Sequence, residues 1–262
     1  MIDFEGKNVL VTGAAGAIGK GIAKGFRQYG GNVFLSDLKQ EGVDQAVAEI
    51  QPAGQGLLGG LAGDVAVEAD VRKVVQAAAS LFDNRVDILV NVAGIVAQGK
   101  IEEITEADWD KIFAVNCKGS FFFCKHVVPM MKANKFGKIL NFSSKSGKTG
   151  SALMSHYSAA KGAVISFTHA LAYELADSGI TANCLCPGIT EDTGVWSNVS
   201  SGYIKNLGKS REEVVKQFSA KVPLKRLAKI SDVVAVTLFL ASSGADYLTG
   251  QAINVDGGRE MH

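Results

Sequence analysis

Short runs of consecutive apolar residues recur along this chain, separated by longer stretches whose apolar positions return every three or four residues. The runs are Val9–Thr12, Asn32–Asp37, Leu57–Val65, Val86–Asn91, Lys138–Ser143, Thr181–Cys186 and Ala252–Val255. Short apolar runs of this kind fit strands buried on both faces. The stretches between them, Ala17–Tyr29, Val43–Ile50, Glu68–Phe82, Glu106–Ala133, Ser155–Asp177 and Ser231–Ala241, carry the helical period. Strand–helix alternation along the whole length predicts a doubly wound α/β fold, with a seven-stranded parallel sheet flanked by helices. Thr105 stands three residues before Asp108, and Ser210 three before Glu213. Both pairs have the pattern of a capping box at a helix start. No Pro/Ser-rich linker or internal repeat divides the sequence, so a single domain over residues 1–262 is expected. One segment, Glu191–Pro223, is long and polar and contains Ser200-Ser201-Gly202 between the last two strands.

Composition narrows the classes. Of 262 residues, 47% are hydrophobic, enough for a large core. The formal net charge is +1 and no Lys/Arg run exceeds a pair, which argues against nucleic acid as a partner. Cys117, Cys124, Cys184 and Cys186 show no CxxC spacing and read as free thiols in a reducing compartment. Cys184 and Cys186 alternate in a strand and are expected to pack. Met1-Ile2-Asp3-Phe4-Glu5 has no leader character and no long apolar span follows, so a soluble, cytoplasmic protein is expected.

The candidate chemistry lies in Tyr157-Ser158-Ala159-Ala160-Lys161. Four residues along a helix return to the same face, so the phenol and the ammonium stand side by side. A phenol titrates near pH ~10 in water and is a poor base at neutral pH. A fixed positive charge beside it favours the phenolate. Ser144 ends an apolar run and can hold a carbonyl or carbinol oxygen against that phenol. The three together suit proton transfer on and off a carbinol oxygen.

A second set of residues points to a dinucleotide. Thr12-Gly13-Ala14-Ala15-Gly16-Ala17-Ile18-Gly19 follows the first strand and opens the first helix. Small residues there let backbone approach a pyrophosphate at a helix N-terminus, although glycine turns also serve packing. Asp37 ends the second strand, where an acid accepts hydrogen bonds from an adenosine ribose and repels a 2′-phosphate. No basic residue lies in the turn or directly after Asp37, since Leu38 precedes Lys39, and NAD(H) is the expected cofactor. Asp64-Val65 ends the third strand; Asp64 either meets the adenine or caps the next helix. Asn91-Val92-Ala93-Gly94 and Pro187-Gly188-Ile189-Thr190 end two more strands with residues that admit a close ligand. Ligands of open α/β sheets gather outside these strand ends.

In this order and spacing, the motifs resemble the short-chain dehydrogenase/reductase family, a Rossmann-fold family. The matches are Thr12–Gly19, Asp64, Asn91–Gly94, Asn116, Ser144, Tyr157 with Lys161, and Pro187-Gly188. Tyr157 lies thirteen positions after Ser144, as the family pattern requires; Ser143 fails that spacing and is expected to be structural. The resemblance implies that Tyr157 is the general acid/base and that Lys161 lowers its pKa and binds the nicotinamide ribose. It also implies that Ser144 orients the substrate oxygen and that Asn116 holds a water linking Lys161 to solvent. Cofactor contacts fall on Gly13, Gly16, Ala17, Ile18, Gly19, Asp37, Asp64, Val65, Asn91, Ala93, Gly94, Tyr157, Lys161, Pro187, Gly188 and Thr190, with no metal. The chain departs from the family pattern at Ala17, which replaces a commoner glycine, and at Val92, which replaces a second asparagine. The threonine expected after Pro187-Gly188 is either Thr190 or Thr193.

Within the family, Ser144-Lys145-Ser146-Gly147-Lys148 and Val222-Pro223-Leu224-Lys225-Arg226 resemble segments of the sorbitol-6-phosphate dehydrogenase-like branch of polyol dehydrogenases. A sugar alcohol or its phosphate, oxidised to a ketose, is the expected substrate. Lys145 and Lys148 would place charge near a phosphate, or are exposed surface charges. The insertion at 191–223 would be a substrate lid. Competing readings are a reductase of small, acetoin-type ketones or of 3-oxoacyl thioesters, and a non-catalytic NAD-binding regulator. The resemblance implies a homotetramer built through the helices of Trp109–Ala133 and Ser155–Asp177 and through the C-terminal region. Phe121, Phe122 and Phe123 cover most of one helix circumference, so some of them are candidates to face a partner subunit.

Overall fold

The five residues of β1 (Asn8–Thr12) are all buried, and their side chains alternate between two cores. Val9 and Val11 enter one and Leu10 the other, as a strand at the centre of a sheet covered on both faces must arrange them. The computed structural model describes residues 2–194, 196 and 210–261. It places β1 between β2 (Asn32–Ser36) and β4 (Ile88–Asn91). Beyond β2 lies β3 (Leu58–Gly60). Beyond β4 follow β5 (Gly137–Phe142), β6 (Ile180–Pro187) and β7 (Ala252–Val255). Every pairing is parallel, in the order β3-β2-β1-β4-β5-β6-β7. The strand order reverses direction between β1 and β4, where such sheets open a crevice for ligands.

Two helix layers close the sheet. On one face α1 (Ala17–Gln28), α2 (Gln40–Ile50) and α9 (Ile230–Ala241) bury Ile22, Phe26, Val43, Val233 and Leu238. On the other, α3 (Glu68–Leu81), α5 (Gly119–Asn134) and α7 (Ser155–Leu175) bury Val74, Phe123, Val127 and Leu171. This is the seven-stranded, doubly wound domain that the apolar pattern predicts. All four cysteines are free thiols, with Cys124, Cys184 and Cys186 buried. Among the described residues no helix is long and apolar enough to cross a membrane.

Three elements differ from their sequence expectation, each for a local reason. The third strand has three residues rather than the nine of 57–65. Past Gly60 it keeps only single bonds to β2, from Leu61 N–H to Leu35 O and from Gly63 N–H to Asp37 O. The helix expected over 106–133 begins at its Thr105–Asp108 capping box as α4 (Glu106–Phe113). It then widens into a π turn over Ala114–Lys118 before continuing as α5. In that turn the Asn116 amide donates to Ile112 O at 3.0 Å, filling a carbonyl that the widened turn frees. The third difference is two helices absent from the apolar pattern. One is α6 (Lys145–Thr149), started by the Ser144 hydroxyl on Ser146 N–H. The other is α8 (Arg211–Ala220), started by the expected Ser210–Glu213 capping box inside the polar segment 191–223. Residues 197–209 of that segment, and Val195, lie outside the described residues.

Candidate active site

The C-terminal end of β5 and the first turns of α7 supply the reactive group of side chains. Ser143 fastens them together: its hydroxyl donates to Lys161 O at 2.7 Å, across the join of strand and helix. A buried chain of hydrogen bonds repeats the tie deeper in. Asn91 Nδ2 donates to Asn141 Oδ1 (2.9 Å), Asn141 Nδ2 to Thr168 Oγ1 (3.0 Å), and Thr168 Oγ1 to Val164 O (2.7 Å). With β4, β5 and α7 locked in this way, Tyr157 and Lys161 are held against Ser144 by structure rather than by loops.

Ser144 Oγ accepts Ser146 N–H at 3.1 Å, and its hydroxyl also bears on the Tyr157 phenol. Burial pushes the Tyr157 phenol above its ordinary value, and the hydrogen bond with Ser144 pulls it back. Lys161 is 4% exposed and donates to Phe142 O at 2.8 Å, with its Nζ 5.9 Å from the centre of the Tyr157 ring. Burial lowers the Lys161 ammonium to about 8, and the thiols of Cys184, Cys186 and Cys117 oppose that fall. The sequence reading made Lys161 the agent that depresses the phenol. The Ser144 hydroxyl draws the phenol down, and the Lys161 ammonium donates to the Phe142 carbonyl.

Asn116 reaches the group through the π turn. Its Oδ1 accepts Ile95 N–H at 3.2 Å and its Nδ2 donates to Ile95 O at 2.9 Å, which pins the loop after β4. Gly94 shows how closely the elements meet. A Cβ there would fall 2.7 Å from Asn116 Oδ1 and 3.2 Å from Lys161 Nζ.

The nucleotide end fits a dinucleotide. Helix α1 starts at Gly16 with no side-chain cap and no acid in its first turn, so its amides keep their positive end open. Gly13 has φ +63°, and a Cβ there would meet Ala93 backbone at 2.8 Å; this seats the turn against the end of β4. The Asp37 carboxylate accepts Ala15 N–H at 2.9 Å and Leu38 N–H at 2.7 Å, placing it beside the glycine turn. Asp64 accepts Ala66 N–H at 2.8 Å, and Val65 packs against Gly119. The adjoining Gly63 is bonded to Asp37 O, so this turn borders the same edge. Ala17 and Gly19 belong to the first turn of α1, while Ile18 lines the cavity.

A cavity of about 490 Å³ runs from the start of α1 to the side chains of β5 and α7. It brings together Ile18, Gly94, Asn116, Ser144, Tyr157 and Lys161 with Pro187, Gly188 and Thr190. Thr190 and Thr193 both line it. The Thr193 hydroxyl donates to Thr190 O and accepts Trp196 N–H, whereas the Thr190 hydroxyl makes one long bond, 3.3 Å to Gly188 O. Thr190 is therefore the threonine with capacity to spare.

Gly13, Gly16, Ala17, Gly19, Asp37, Asp64, Val65 and Ala93 do not line this cavity, and two further expected side chains point elsewhere. The Asn91 side chain is 2% exposed and turns into the helix layer, where it meets Asn141 and Cys124, so only its backbone lies at the strand end. Lys148 donates to Ala252 O at 2.6 Å and is absent from the cavity wall; α6 turns it toward β7 while Lys145, at the start of that helix, stays on the cavity. Sequence reasoning also missed cavity residues. Ser146 and Ser151 bond to each other at 2.8 Å. Trp196 packs edge-on to Phe218 at 5.9 Å, and Arg259 follows Asp256. Only Asp256-Gly257-Gly258 carried a signal, a turn in which the Asp256 carboxylate accepts the N–H groups of Gly258, Arg259 and Glu260.

A strand–turn–helix cradle and a proton-transfer set opening onto one cavity mark the class of nicotinamide-dependent oxidoreductases. Residues 13–260 match the family model described as enoyl-(acyl carrier protein) reductase. The chain is 35% identical over 261 residues to a sorbitol dehydrogenase of Cereibacter sphaeroides, covering 98% of this chain and 99% of the relative. It is similar to the crystal structure of sorbitol-6-phosphate 2-dehydrogenase from Erwinia amylovora, with a TM-score of 0.92, 34% identity and coverage of 97% and 100%. It is equally similar to an actinorhodin polyketide ketoreductase crystallised with NADPH, with a TM-score of 0.92, 34% identity and coverage of 97% of each chain. The chain belongs to the short-chain dehydrogenase/reductase family.

The Ser144 bond gives a prediction in the absence of any ligand. Ser144→Ala removes the interaction that favours the phenolate, so the Tyr157 phenol should titrate at still higher pH. Alkaline absorbance titration at the phenolate band, read as the difference from Tyr157→Phe, measures it. An unchanged or lower midpoint would contradict this geometry.

Proposed function

We propose that this protein is an NAD(H)-dependent oxidoreductase that interconverts a secondary alcohol and a ketone, with a sugar alcohol or its phosphate oxidised to a ketose. The observation that carries the reading is one cavity lined by Ser144, Tyr157 and Lys161, with the buried Lys161 Nζ 5.9 Å from the centre of the Tyr157 ring. In the oxidative direction Tyr157 takes the proton of the carbinol oxygen while Ser144 donates to that oxygen and fixes its place. Lys161 stabilises the negative phenolate oxygen, and Asn116 holds the strand-end loop so that Lys161 keeps a path to solvent. A nicotinamide dinucleotide held by the Gly13–Gly19 turn and Asp37 would supply the hydride acceptor for the carbinol carbon. Hydroxyls of Ser146, Ser151 and Thr190 on the same cavity suit a polyhydroxy substrate.

NAD(H) rather than NADP(H) is supported by Asp37. Its carboxylate stands beside the glycine turn, where a 2′-phosphate would meet like charge. The free thiols fit a cytoplasmic enzyme. A homotetramer is supported by Trp109, Phe121 and Tyr173, which keep large parts of their surfaces exposed on α4, α5 and α7.

The apolar side of the cavity, with Met154, Trp196 and Leu227, favours one competing reading, reduction of small ketones or 3-oxoacyl thioesters.

A substrate screen with NAD and NADP in parallel separates these readings. Turnover of polyols with NAD supports the proposal; turnover confined to diacetyl or acetoacetyl thioesters replaces it; cofactor binding without turnover on any of them leaves a regulator. Tyr157→Phe should lower kcat by about 10²–10⁴-fold while NADH binding, followed by fluorescence, persists. Residual activity near wild type would remove Tyr157 from the proton path. Asp37→Ser should cut the ratio of kcat/KM for NAD over NADP at least tenfold, and an unmoved ratio would sink the cofactor assignment. Sedimentation velocity should find a tetramer; a stable monomer refutes that part.

A further inference from the structure

Positive charge gathers on the cavity from separate parts of the chain. Among the described residues, five basic side chains line it, Lys145, Lys161, Lys221, Arg226 and Arg259, against one carboxylate, that of Asp256. Two of the five are committed. Lys161 holds Phe142 O, and Arg226 forms a two-pronged pair with Asp232, at 2.5 and 3.0 Å. The Asp256 carboxylate is also committed, to the three backbone amides of its own turn. That leaves Lys145 from the first turn of α6, Lys221 at the end of α8, and Arg259 from the segment after β7.

These three are close and poorly neutralised. Lys145 Nζ and Arg259 Nε approach the same oxygen, Glu260 Oε1, at 3.9 and 3.8 Å. Both distances exceed a hydrogen bond. The charges of Arg259 and Lys221 both bear on Lys145, whose ammonium lies below its ordinary value, burial being the first cause and Glu260 the chief opposing one. The Lys221 ammonium rests 5.8 Å over the Phe218 ring. One loosely held carboxylate thus stands between Lys145 and Arg259, and the charge of Lys221, from a third element, bears on Lys145.

We propose that Lys145, Lys221 and Arg259 form a subsite for the phosphate monoester of a phosphorylated polyol, with the Glu260 carboxylate holding that place in the ligand-free chain. The inference rests on the polyol reading and selects the phosphorylated member of that class. A phosphate dianion offers three acceptor oxygens and satisfies a guanidinium and two ammonium groups at once, which a neutral hydroxyl terminus does not. Lys145 directly follows Ser144, so the anionic end of the substrate is bound next to the residue that holds its carbinol oxygen. The subsite replaces the Lys145–Lys148 pair expected from sequence, since Lys148 is bonded to Ala252 O.

Two measurements test it. Calorimetric titration of inorganic phosphate into the full chain, with NAD saturating so that the Gly13–Gly19 turn is filled, should show binding. Arg259→Gln and Lys221→Met should each weaken that binding at least tenfold, and Glu260→Gln should tighten it. The ratio of kcat/KM for sorbitol 6-phosphate over sorbitol should exceed a hundred and should fall at least tenfold in Arg259→Gln and in Lys221→Met. Phosphate binding that both substitutions leave unmoved, or equal turnover of the two polyols, overturns the subsite. If no polyol is turned over but phosphate binding follows the substitutions, the polyol reading fails and the anion subsite stands.

Discussion

A single buried cation organises the reactive end of this molecule. Lys161 lies almost wholly inside the protein, and its ammonium is held by a neutral carbonyl, that of Phe142. Removing a charge from water costs several kcal/mol even after relaxation, and a carbonyl offsets only part of it. The lowered proton affinity of Lys161, about 8, is the direct expression of that imbalance. What the ammonium lacks is a nearby anion; the Tyr157 ring has its centre 5.9 Å from Nζ. In the proposed reaction negative charge develops on Tyr157 near this buried cation, the arrangement by which a preorganised site lowers a barrier.

The surroundings of Lys161 read as consequences of keeping that cation in place. Gly94 has no side chain because the space belongs to Asn116 and Lys161. The π turn at Ala114–Lys118 places Asn116 on the loop after β4, and the freed Ile112 carbonyl is the third partner that saturates its amide. Ser143, read from its spacing as structural, bonds the backbone of Lys161 itself. The Asn91–Asn141–Thr168 chain carries the same tie through the interior, at the expense of an Asn91 oxygen left buried without a partner.

The sheet and most helices were legible in the sequence because parallel strands buried on both faces leave near-continuous apolar runs, and helices leave a 3.6 period. The Tyr157–Lys161 pair was legible because one helix carries both. What stayed hidden depends on tertiary direction. Nothing in Lys145-Ser146-Gly147-Lys148 tells which lysine meets the cavity; the short helix α6 decides it by turning Lys148 toward β7. Nothing in Asn91 tells that its side chain turns inward. Arg259 lies over a hundred residues beyond Lys145, after β7, and Lys221 follows the end of α8, fewer than a hundred beyond it, so their convergence comes from the sheet order β5-β6-β7 and not from spacing.

The walls of the cavity have different origins. The proton-transfer wall is built from β5 and α7 and stapled by buried amide and hydroxyl bonds. The facing wall comes from the chain beyond β6: Trp196, Lys221, Arg226 and the turn after β7. A lineage can therefore exchange the last quarter of the chain and change its diet without reopening the chemistry. For the protein engineer the same division marks where a combinatorial library is worth making and where it would only yield inert scaffolds.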